Sequence, residues 1–219
     1  MACTAGATAS TVTPENGIAL RGATTVLAAL RRLLGPSAVV IGVAVAVRAV
    51  FDEWYLNYDA RYALLWARDV TRGVTPDYEA PFAPTPHPLS TAWSALSLPF
   101  GSGGDVLMVW LPLLAFGLLV YLAYRLGAQL FSPWVGVLTA IIVATRPALE
   151  RDAALAYQDV PFAALIVLAA LLEARRQRRL AAAGDVALAG AARAGGTAVF
   201  ATLAVAGLLR PEAWALAGA

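Results

Sequence analysis

The chain has 219 residues, of which 60% are hydrophobic and only 14% are charged, and its mean hydropathy is +0.69. A soluble domain is usually about 45–50% apolar and about 25% charged. The composition therefore favours lipid as the solvent for much of the chain and excludes a disordered protein. The single cysteine, Cys3, excludes an intramolecular disulfide scaffold. A net charge of +2 is too small to indicate a nucleic-acid-binding surface.

Residues 1–32 are small and polar and lack the continuous apolar stretch of a signal peptide, which predicts a cytoplasmic tail. An apolar run over 33–51 follows a pair of arginines and is about as long as a bilayer requires. Acidic residues come directly after this run, beginning with Asp52 and Glu53. Because positive charge marks the cytoplasmic end of a span, the pattern predicts an N-terminus on the inside.

The segment 52–105 contains no spanning run, yet it holds half of the acidic residues of the chain. We therefore expect it to form a long extracytoplasmic loop. Apolar residues recur at near-helical spacing over 58–70, which predicts a helix lying along the membrane surface. Residues 89–100 predict a second short interfacial helix. Four prolines between positions 81 and 88 keep the strip between these two helices extended.

The apolar run over 106–124 predicts the second span. Ser132-Pro133, a cap residue followed by a proline, predicts the start of a helix. Two shorter runs follow over 134–145 and 160–172, and each is too short to cross a bilayer without extension. They form either two extended spans or one re-entrant hairpin, and the lengths leave both open. The arginine cluster at 175–179 is the densest positive segment of the chain and predicts a return to the cytoplasmic side. The run over 195–209 then leads outward again.

These segments together predict an all-α protein, a polytopic transmembrane helix bundle of about four to five spans formed by residues 33–219. We expect a multi-pass protein of the plasma membrane, surrounded by the lipid bilayer. The final apolar run, 213–219, is too short to cross a bilayer. We therefore expect the transmembrane domain to be incomplete and the chain to be the N-terminal part of a larger protein.

Three clusters of polar residues along the sequence fall on the predicted outer side of the membrane. A carboxylate at a membrane boundary can act as a general base, and an arginine offers a planar fork to a phosphate. This combination suits a lipid-phosphate substrate. Each residue also has a structural interpretation that stays open: Asp52 and Glu53 as topology markers after a span, Asp159 as a helix cap, His87 as a lone structural histidine, Arg210 as a snorkelling anchor.

Four short motifs resemble those of the GT-C membrane glycosyltransferases, which include the protein O-mannosyltransferases and the lipid A aminoarabinose transferases. Tyr58–Ala63 is similar to the acidic-pair, any-residue, Arg-Tyr-Ala segment of their first outer loop. Pro86–Leu89 is similar to their His-Pro-Pro-Leu or Lys-Pro-Pro-Leu strip, and Asp159 to an outer-loop aspartate. Arg210-Pro211 is similar to an Arg-Pro break that closes a later span. The string over 57–89 resembles an actinobacterial branch of these proteins.

The resemblance implies transfer of a sugar from a polyprenyl-phosphate donor to an extracytoplasmic acceptor, with inversion at the anomeric carbon. Asp59 would be the general base. The family carries two adjacent acids where this chain has Tyr58 and Asp59, so Asp52 and Glu53 remain the alternative acidic pair. The residues that the resemblance assigns to substrate or donor binding are Arg61, Tyr62, His87, Arg151, Asp159 and Arg210. Some relatives use a metal ion, but no metal or other cofactor is assigned to this chain.

Two functions of other classes stay open. A truncated, non-catalytic membrane protein is one alternative, because the later spans that would complete a donor-lipid groove are missing; for the same reason the activity of the 219-residue chain alone is doubtful. A transporter component is the second. Transport requires polar groups inside the membrane, and 106–122 and 160–172 contain no Asp, Glu, Lys, Arg or His that would serve as a midplane ion site.

Overall fold

The computed structural model describes residues 34–51, 55–182 and 188–218, with the backbone alone for 188–195. The predicted tail and the acidic pair Asp52 and Glu53 lie outside the described residues. The described part is all-α, as predicted, and contains no strand. Its helices are α1 (Leu34–Val50), α2 (Tyr58–Thr71), α3 (Pro88–Ser97), a 3₁₀ helix (Leu98–Gly103), α4 (Gly104–Leu130), α5 (Pro133–Ala144), α6 (Pro147–Ala154), α7 (Asp159–Ala182), α8 (Leu188–Gly207) and α9 (Glu212–Ala217).

The chain divides into two units, residues 1–38 and 39–219, and α4 forms the centre of the second. This helix has 27 residues, which corresponds to a length of about 40 Å. It is apolar on nearly every face, and Val109, Leu113 and Phe116 are among the most completely buried side chains. The helices α3, α5, α6 and α7 all pack on it. A helix with this all-round apolarity is typical of a protein core or of a membrane span.

Two glycines allow helices to approach α4 closely. A Cβ atom on Gly117 of α4 would overlap the backbone carbonyl of Val40 in α1. A Cβ atom on Gly136 of α5 would lie 2.6 Å from the backbone oxygen of Tyr124 in α4. Because backbone atoms cannot move aside as a flexible side chain can, both helices contact α4 through their main chains, and a side chain at either glycine would force the helices apart.

The two short apolar runs after α4 differ in the structure. The first becomes α5, which has only 12 residues and begins at the predicted cap Ser132, whose Oγ accepts a hydrogen bond from the Val135 N–H (3.3 Å). The second is extended into α7, which has 24 residues. The helices α6 and α7 meet at a bend of 117°. Ala156 lies in this bend with a left-handed φ of 59°, and residues 155–158 therefore form a corner between the two helices.

Two backbone hydrogen bonds tie the segment between α1 and α4 to distant parts of the chain. The Asn57 N–H donates to the Leu155 oxygen in the corner between α6 and α7 (3.1 Å). The Asn57 side chain also caps α2, because its Oδ1 accepts the Ala60 N–H (2.8 Å). The Leu89 N–H donates to the Leu208 oxygen at the end of α8 (3.1 Å). These bonds bring the starts of α2, α3 and α7 and the end of α8 together.

The helix predicted over 58–70 is confirmed as α2, but part of its aromatic face contacts protein. The Trp66 side chain is buried, and its ring meets Tyr62 at a centroid distance of 5.5 Å and Tyr78 at 5.1 Å, both edge-on. Leu65 and Val70 of the same predicted apolar face are half exposed. The near-helical apolar spacing therefore reflects internal packing for Trp66 and leaves only the outer residues to contact solvent or lipid.

Among the described segments, Pro88–Leu130 is by itself long and apolar enough to cross a bilayer, and the bent pair of α6 and α7 would add one more if both formed a single span. The helices α1 and α5 and residues Gly196–Gly207 are apolar but shorter. Exposed aliphatic side chains line α1 and α5, including Ile41, Leu138 and Ile142. Length and composition thus give the described residues one to two candidate spans.

The close contact between α1 and α4 at Gly117 predicts opposite effects on stability for two Gly→Ala substitutions. We expect Gly117→Ala to destabilise the fold by about 1–3 kcal/mol, because the added methyl group overlaps the Val40 carbonyl. We expect Gly42→Ala in α1 to be neutral or stabilising by up to about 1 kcal/mol, since a Cβ atom there meets nothing within 4 Å and alanine favours helix. Thermal unfolding in detergent measures both, and equal shifts would contradict the backbone contact.

Candidate functional site

A cavity of about 300 Å³ lies where the starts of α2, α3 and α7 meet the end of α8. We call it the polar cavity. It contains four of the residues that the sequence marked as candidates: Asp59 of α2, His87 before α3, Asp159 at the start of α7 and Arg210 after α8. The remaining lining residues are Thr85, Tyr157, Gln158, Pro211 and Glu212. The polar cavity therefore collects side chains from positions far apart in the sequence at one end of the helix bundle.

The anchoring hydrogen bonds explain why these side chains converge. Asn57 is bound to the corner between α6 and α7, so Asp59, in the first turn of α2, lies beside the start of α7. His87 immediately precedes α3, whose second residue, Leu89, is bound to the end of α8. Arg210 lies two residues beyond that bond. Backbone contacts thus bring all the charged groups to one place without using their side chains.

Arg210 is the central charge of the polar cavity. Its guanidinium pairs with the Asp159 carboxylate across 51 positions of sequence and also with Glu212 (3.0 Å). Its Cζ lies 5.8 Å from the centroid of the Phe162 ring, within range of a cation–π contact. The Arg210 side chain is 35% exposed, so the guanidinium is oriented by two acids and a ring while part of it still faces the cavity.

Asp159 and Glu212, the two acids that pair with Arg210, differ from Asp59 in the interactions of their carboxylates. The pKa of Glu212 is lowered, first by a hydrogen bond from its own backbone N–H and then by one from Arg210. Asp159 is held in the ion pair with Arg210. Within the described residues, Asp59 accepts no hydrogen bond and forms no ion pair. Asp59 is therefore the carboxylate of the polar cavity with both oxygens available to a ligand.

His87 faces charges of both signs. Burial lowers the pKa of His87 below its usual range, and the positive charge of Arg210 acts in the same direction. Three interactions act to raise the pKa of His87 without cancelling this effect: the negative charges of Asp59 and Glu212, and a hydrogen bond with the Leu209 backbone. The lowered pKa favours the neutral imidazole, which can both donate and accept a hydrogen bond.

A second cavity of about 290 Å³ adjoins the polar cavity. We call it the apolar groove, since aliphatic and aromatic side chains from α3, α4, α7 and α8 form almost all of its lining. Among them are Trp93, Met108, Leu111, Leu165 and Val205. Gln158 lines both spaces. The two cavities together therefore present an apolar compartment that leads to a charged one, a shape suited to an amphiphilic molecule.

Gln158 forms the junction between the two cavities. Its Nε2 donates to the Ser90 hydroxyl (2.8 Å), which links the corner between α6 and α7 to α3. Its Oε1 is buried and has no hydrogen-bond partner among the described residues, and the same is true of Trp93 Nε1 in the apolar groove. Buried polar atoms of this kind are uncommon and indicate a place where a bound molecule can supply the missing partner.

Three candidates from the sequence lie outside the polar cavity. Arg61 lines a separate cavity, and its Nε donates to the Leu56 oxygen (2.9 Å). It is two residues from Asp59, and residues at that spacing point to different faces of a helix. The Tyr62 ring contacts the rings of Tyr58 and Trp66 at tilted and edge-on angles. Arg151 is exposed on α6. Of the three arginines expected to balance a phosphate, the structure brings only Arg210 to Asp59.

Sequence reasoning missed Thr85, Tyr157, Gln158 and Glu212. Gln158 directly precedes Asp159, and Glu212 follows Arg210 by two residues. Closeness in sequence to a candidate residue was the one signal that could have indicated these two. Asp159, expected as a possible helix cap, instead directs its carboxylate to Arg210. In the described ranges, no group of three or more His, Cys, Asp or Glu side chains is arranged to hold a metal ion.

No protein-family model, curated protein or solved structure matches this chain.

The charges around His87 predict its titration. We expect its pKa to lie below about 6.5, the ordinary value for histidine, because burial disfavours the imidazolium. Asp59→Asn would lower it further, since the favourable negative charge is lost, whereas Arg210→Gln would raise it. His87 is the only histidine, so one ¹³C-labelled imidazole signal followed by NMR across pH gives the value directly.

Asp69→Asn is the matched control for this titration, because Asp69 lies on α2 but does not act on His87. A folded pKa below the unfolded value also means that the stability contributed by neutral His87 is present above about pH 6.5 and is lost as the pH falls through the folded pKa. A titration midpoint above the ordinary value, or one insensitive to Asp59→Asn, would contradict this arrangement.

Proposed function

We propose that this protein is an integral membrane glycosyltransferase of the GT-C kind, with about four to five spans over residues 33–219 and a cytoplasmic N-terminus. The polar cavity supports this orientation, since it lies at the start of α7, whereas the arginine cluster at 175–179 lies near the opposite end of that helix. Asp159 and Arg176 are separated by about 25 Å along the helix axis. That distance is close to the thickness of a hydrocarbon core, about 30 Å.

The reaction we propose is the transfer of a sugar from a polyprenyl-phosphate donor to an acceptor hydroxyl on the outer side. The observation that carries it is the junction of the polar cavity and the apolar groove at Gln158. An isoprenoid chain is wholly apolar and suits the groove, whereas a phosphate and a sugar need the charged and hydrogen-bonding groups of the polar cavity. A soluble sugar nucleotide would have no use for the groove.

The charges of the polar cavity support distinct roles. Asp59, whose carboxylate is available, would take the proton of the acceptor hydroxyl as the acceptor oxygen bonds to the anomeric carbon. The bond from that carbon to the phosphate oxygen breaks, and the lipid phosphate leaves with the electron pair. Arg210 would stabilise the charge that develops on this phosphate. Attack from the side opposite the leaving group inverts the anomeric carbon.

The remaining groups would orient the reactants. Asp159 and Glu212 hold the Arg210 guanidinium in place from two sides, so the cation need not reorganise as the phosphate leaves. Asp159 is 47% exposed and retains an oxygen that a sugar hydroxyl can reach. Neutral His87 can donate to, or accept from, another hydroxyl. None of these roles requires a metal ion, and we assign none.

Removal of the proposed base tests the reaction. The full chain is expressed in membranes and supplied with a radiolabelled polyprenyl-phosphate sugar. Transfer of the label supports the proposed reaction, whereas a chain without transfer supports the truncated, non-catalytic alternative. Asp59→Asn is expected to lower the rate by about 10²–10⁴-fold, the usual contribution of a general base. Asp69→Asn removes an equal charge from α2 outside the polar cavity and is expected to leave the rate unchanged. Transfer that persists undiminished in Asp59→Asn would remove Asp59 from the mechanism.

Cysteine labelling tests the orientation independently of activity. In a Cys3→Ser background, a cysteine at exposed Thr75 is expected to react with a membrane-impermeant maleimide added to intact cells. A cysteine at exposed Gln177 is expected to react only after the membrane is opened. These outcomes follow because the acidic loop is placed outside and the arginine cluster inside. The reverse pattern would place the polar cavity on the cytoplasmic side and refute an extracytoplasmic acceptor.

A further inference from the structure

A third cavity, of about 600 Å³, lies between α2 and the start of α4 and takes no part in the proposed reaction. It contains both signs of charge. Arg61 and Arg68 come from α2, while Ser102 and Asp105 come from the residues around the start of α4. Leu64 and Leu65 add apolar surface beside the arginines. We call it the headgroup cavity, for the reasons that follow.

The two arginines lie on one face of α2. They are seven residues apart, which is two helical turns and about 10 Å along the axis, and side chains of this length can converge on one ligand from that spacing. Arg61 donates its Nε–H to the Leu56 oxygen (2.9 Å), which orients the guanidinium. Its terminal amino groups make no hydrogen bond to any other residue in the described ranges. They form a fork that matches the oxygens of a phosphate.

The opposite charges that line the headgroup cavity do not pair with one another in the described part of the chain. Within the described part of the chain, neither Arg61 nor Arg68 forms an ion pair with Asp105. A cavity of two unpaired cations and one unpaired anion complements a ligand that carries separated charges: a phosphate for the guanidinium groups and a hydrogen-bond-donating cation for the carboxylate. An ammonium is such a cation, with three N–H donors.

We propose that the headgroup cavity binds phosphatidylethanolamine, with the phosphate on Arg61 and Arg68 and the ammonium on Asp105. Leu65, which is 50% exposed beside the arginines, would contact the glycerol and the first carbons of the acyl chains. The proposal rests on the membrane setting under "Proposed function", in which the start of α4 lies at the outer surface. It does not rest on sugar transfer, because no residue of this cavity lines the polar cavity.

Native mass spectrometry of the purified full chain in detergent tests this proposal. The lipids are phosphatidylethanolamine, phosphatidylcholine and phosphatidylglycerol with identical acyl chains. We expect phosphatidylethanolamine to bind about tenfold more tightly than phosphatidylcholine, because a trimethylammonium group cannot donate a hydrogen bond to Asp105. Soluble glycerophosphoethanolamine is expected to compete with the lipid, which distinguishes recognition of the headgroup from binding of the acyl chains alone.

Variants assign the two ends of the headgroup. Arg61→Gln combined with Arg68→Gln is expected to weaken phosphatidylethanolamine about tenfold. Asp105→Asn is expected to abolish its preference over phosphatidylcholine while both lipids still bind. Arg72→Gln is the matched control: it removes a cation that follows α2 directly and does not line the cavity, so binding is expected to be unchanged.

Three results would overturn the proposal: equal binding of all three lipids, tighter binding of phosphatidylglycerol than of phosphatidylethanolamine, or a preference that survives Asp105→Asn. If the double arginine variant does not fold, the Asp105→Asn comparison decides alone, since it measures a ratio of two affinities in one protein. The lipid preference is measured without any transfer of sugar. A chain that shows the preference but no transferase activity would therefore separate failure of the proposed reaction from failure of this inference.

Discussion

Two backbone hydrogen bonds, Asn57 to Leu155 and Leu89 to Leu208, hold the polar end of this protein together. They add to the packing of α3 on α4 and connect the acidic segment to the corner between α6 and α7 and to the end of α8. Because both bonds use main-chain atoms, they fix the positions of α2 and the proline strip without using a functional side chain. The convergence of Asp59, His87, Asp159 and Arg210 follows from them, since each of these residues lies within four positions of a bonded residue.

The charges that converge there are arranged unequally. One arginine is shared by two acids, whereas a third acid, Asp59, has neither an ion pair nor a hydrogen bond within the described residues. This separates a preorganised cation from an available base in one small space. Displacement of a phosphate from a carbon atom by a hydroxyl requires such a division, with the cation at the leaving group and the base at the hydroxyl. The apolar groove beside it explains why Gln158, a neutral polar residue, lies at the junction: a charge there would face an apolar compartment without a partner.

The sequence predicted those features that depend on neighbours along the chain. Helical spacing indicated α2, and Ser132 before a proline indicated the start of α5. It did not decide between two spans and a re-entrant hairpin for the runs that became α5 and α7, because their lengths fit both. It also did not predict the bend of 117° between α6 and α7. Arg61 and Arg151 were grouped with Asp59 because they are close in sequence or in predicted location. Helical geometry points Arg61 to another cavity, and Arg151 lies exposed on α6.

By itself the amino-acid sequence determined that the protein is all-α and strongly apolar, and that its acids concentrate in one segment before α4. Composition and periodicity depend only on the order of residues along the chain, so they can be determined without knowledge of the fold. Only the tertiary structure decided which of the many candidate charges share a cavity, because Asp159 and Arg210 meet across 51 positions of the chain. It also decided that Asp59 has no ion-pair partner among the described residues while Asp159 has one. This difference depends on distances between helices, which no spacing along the chain contains.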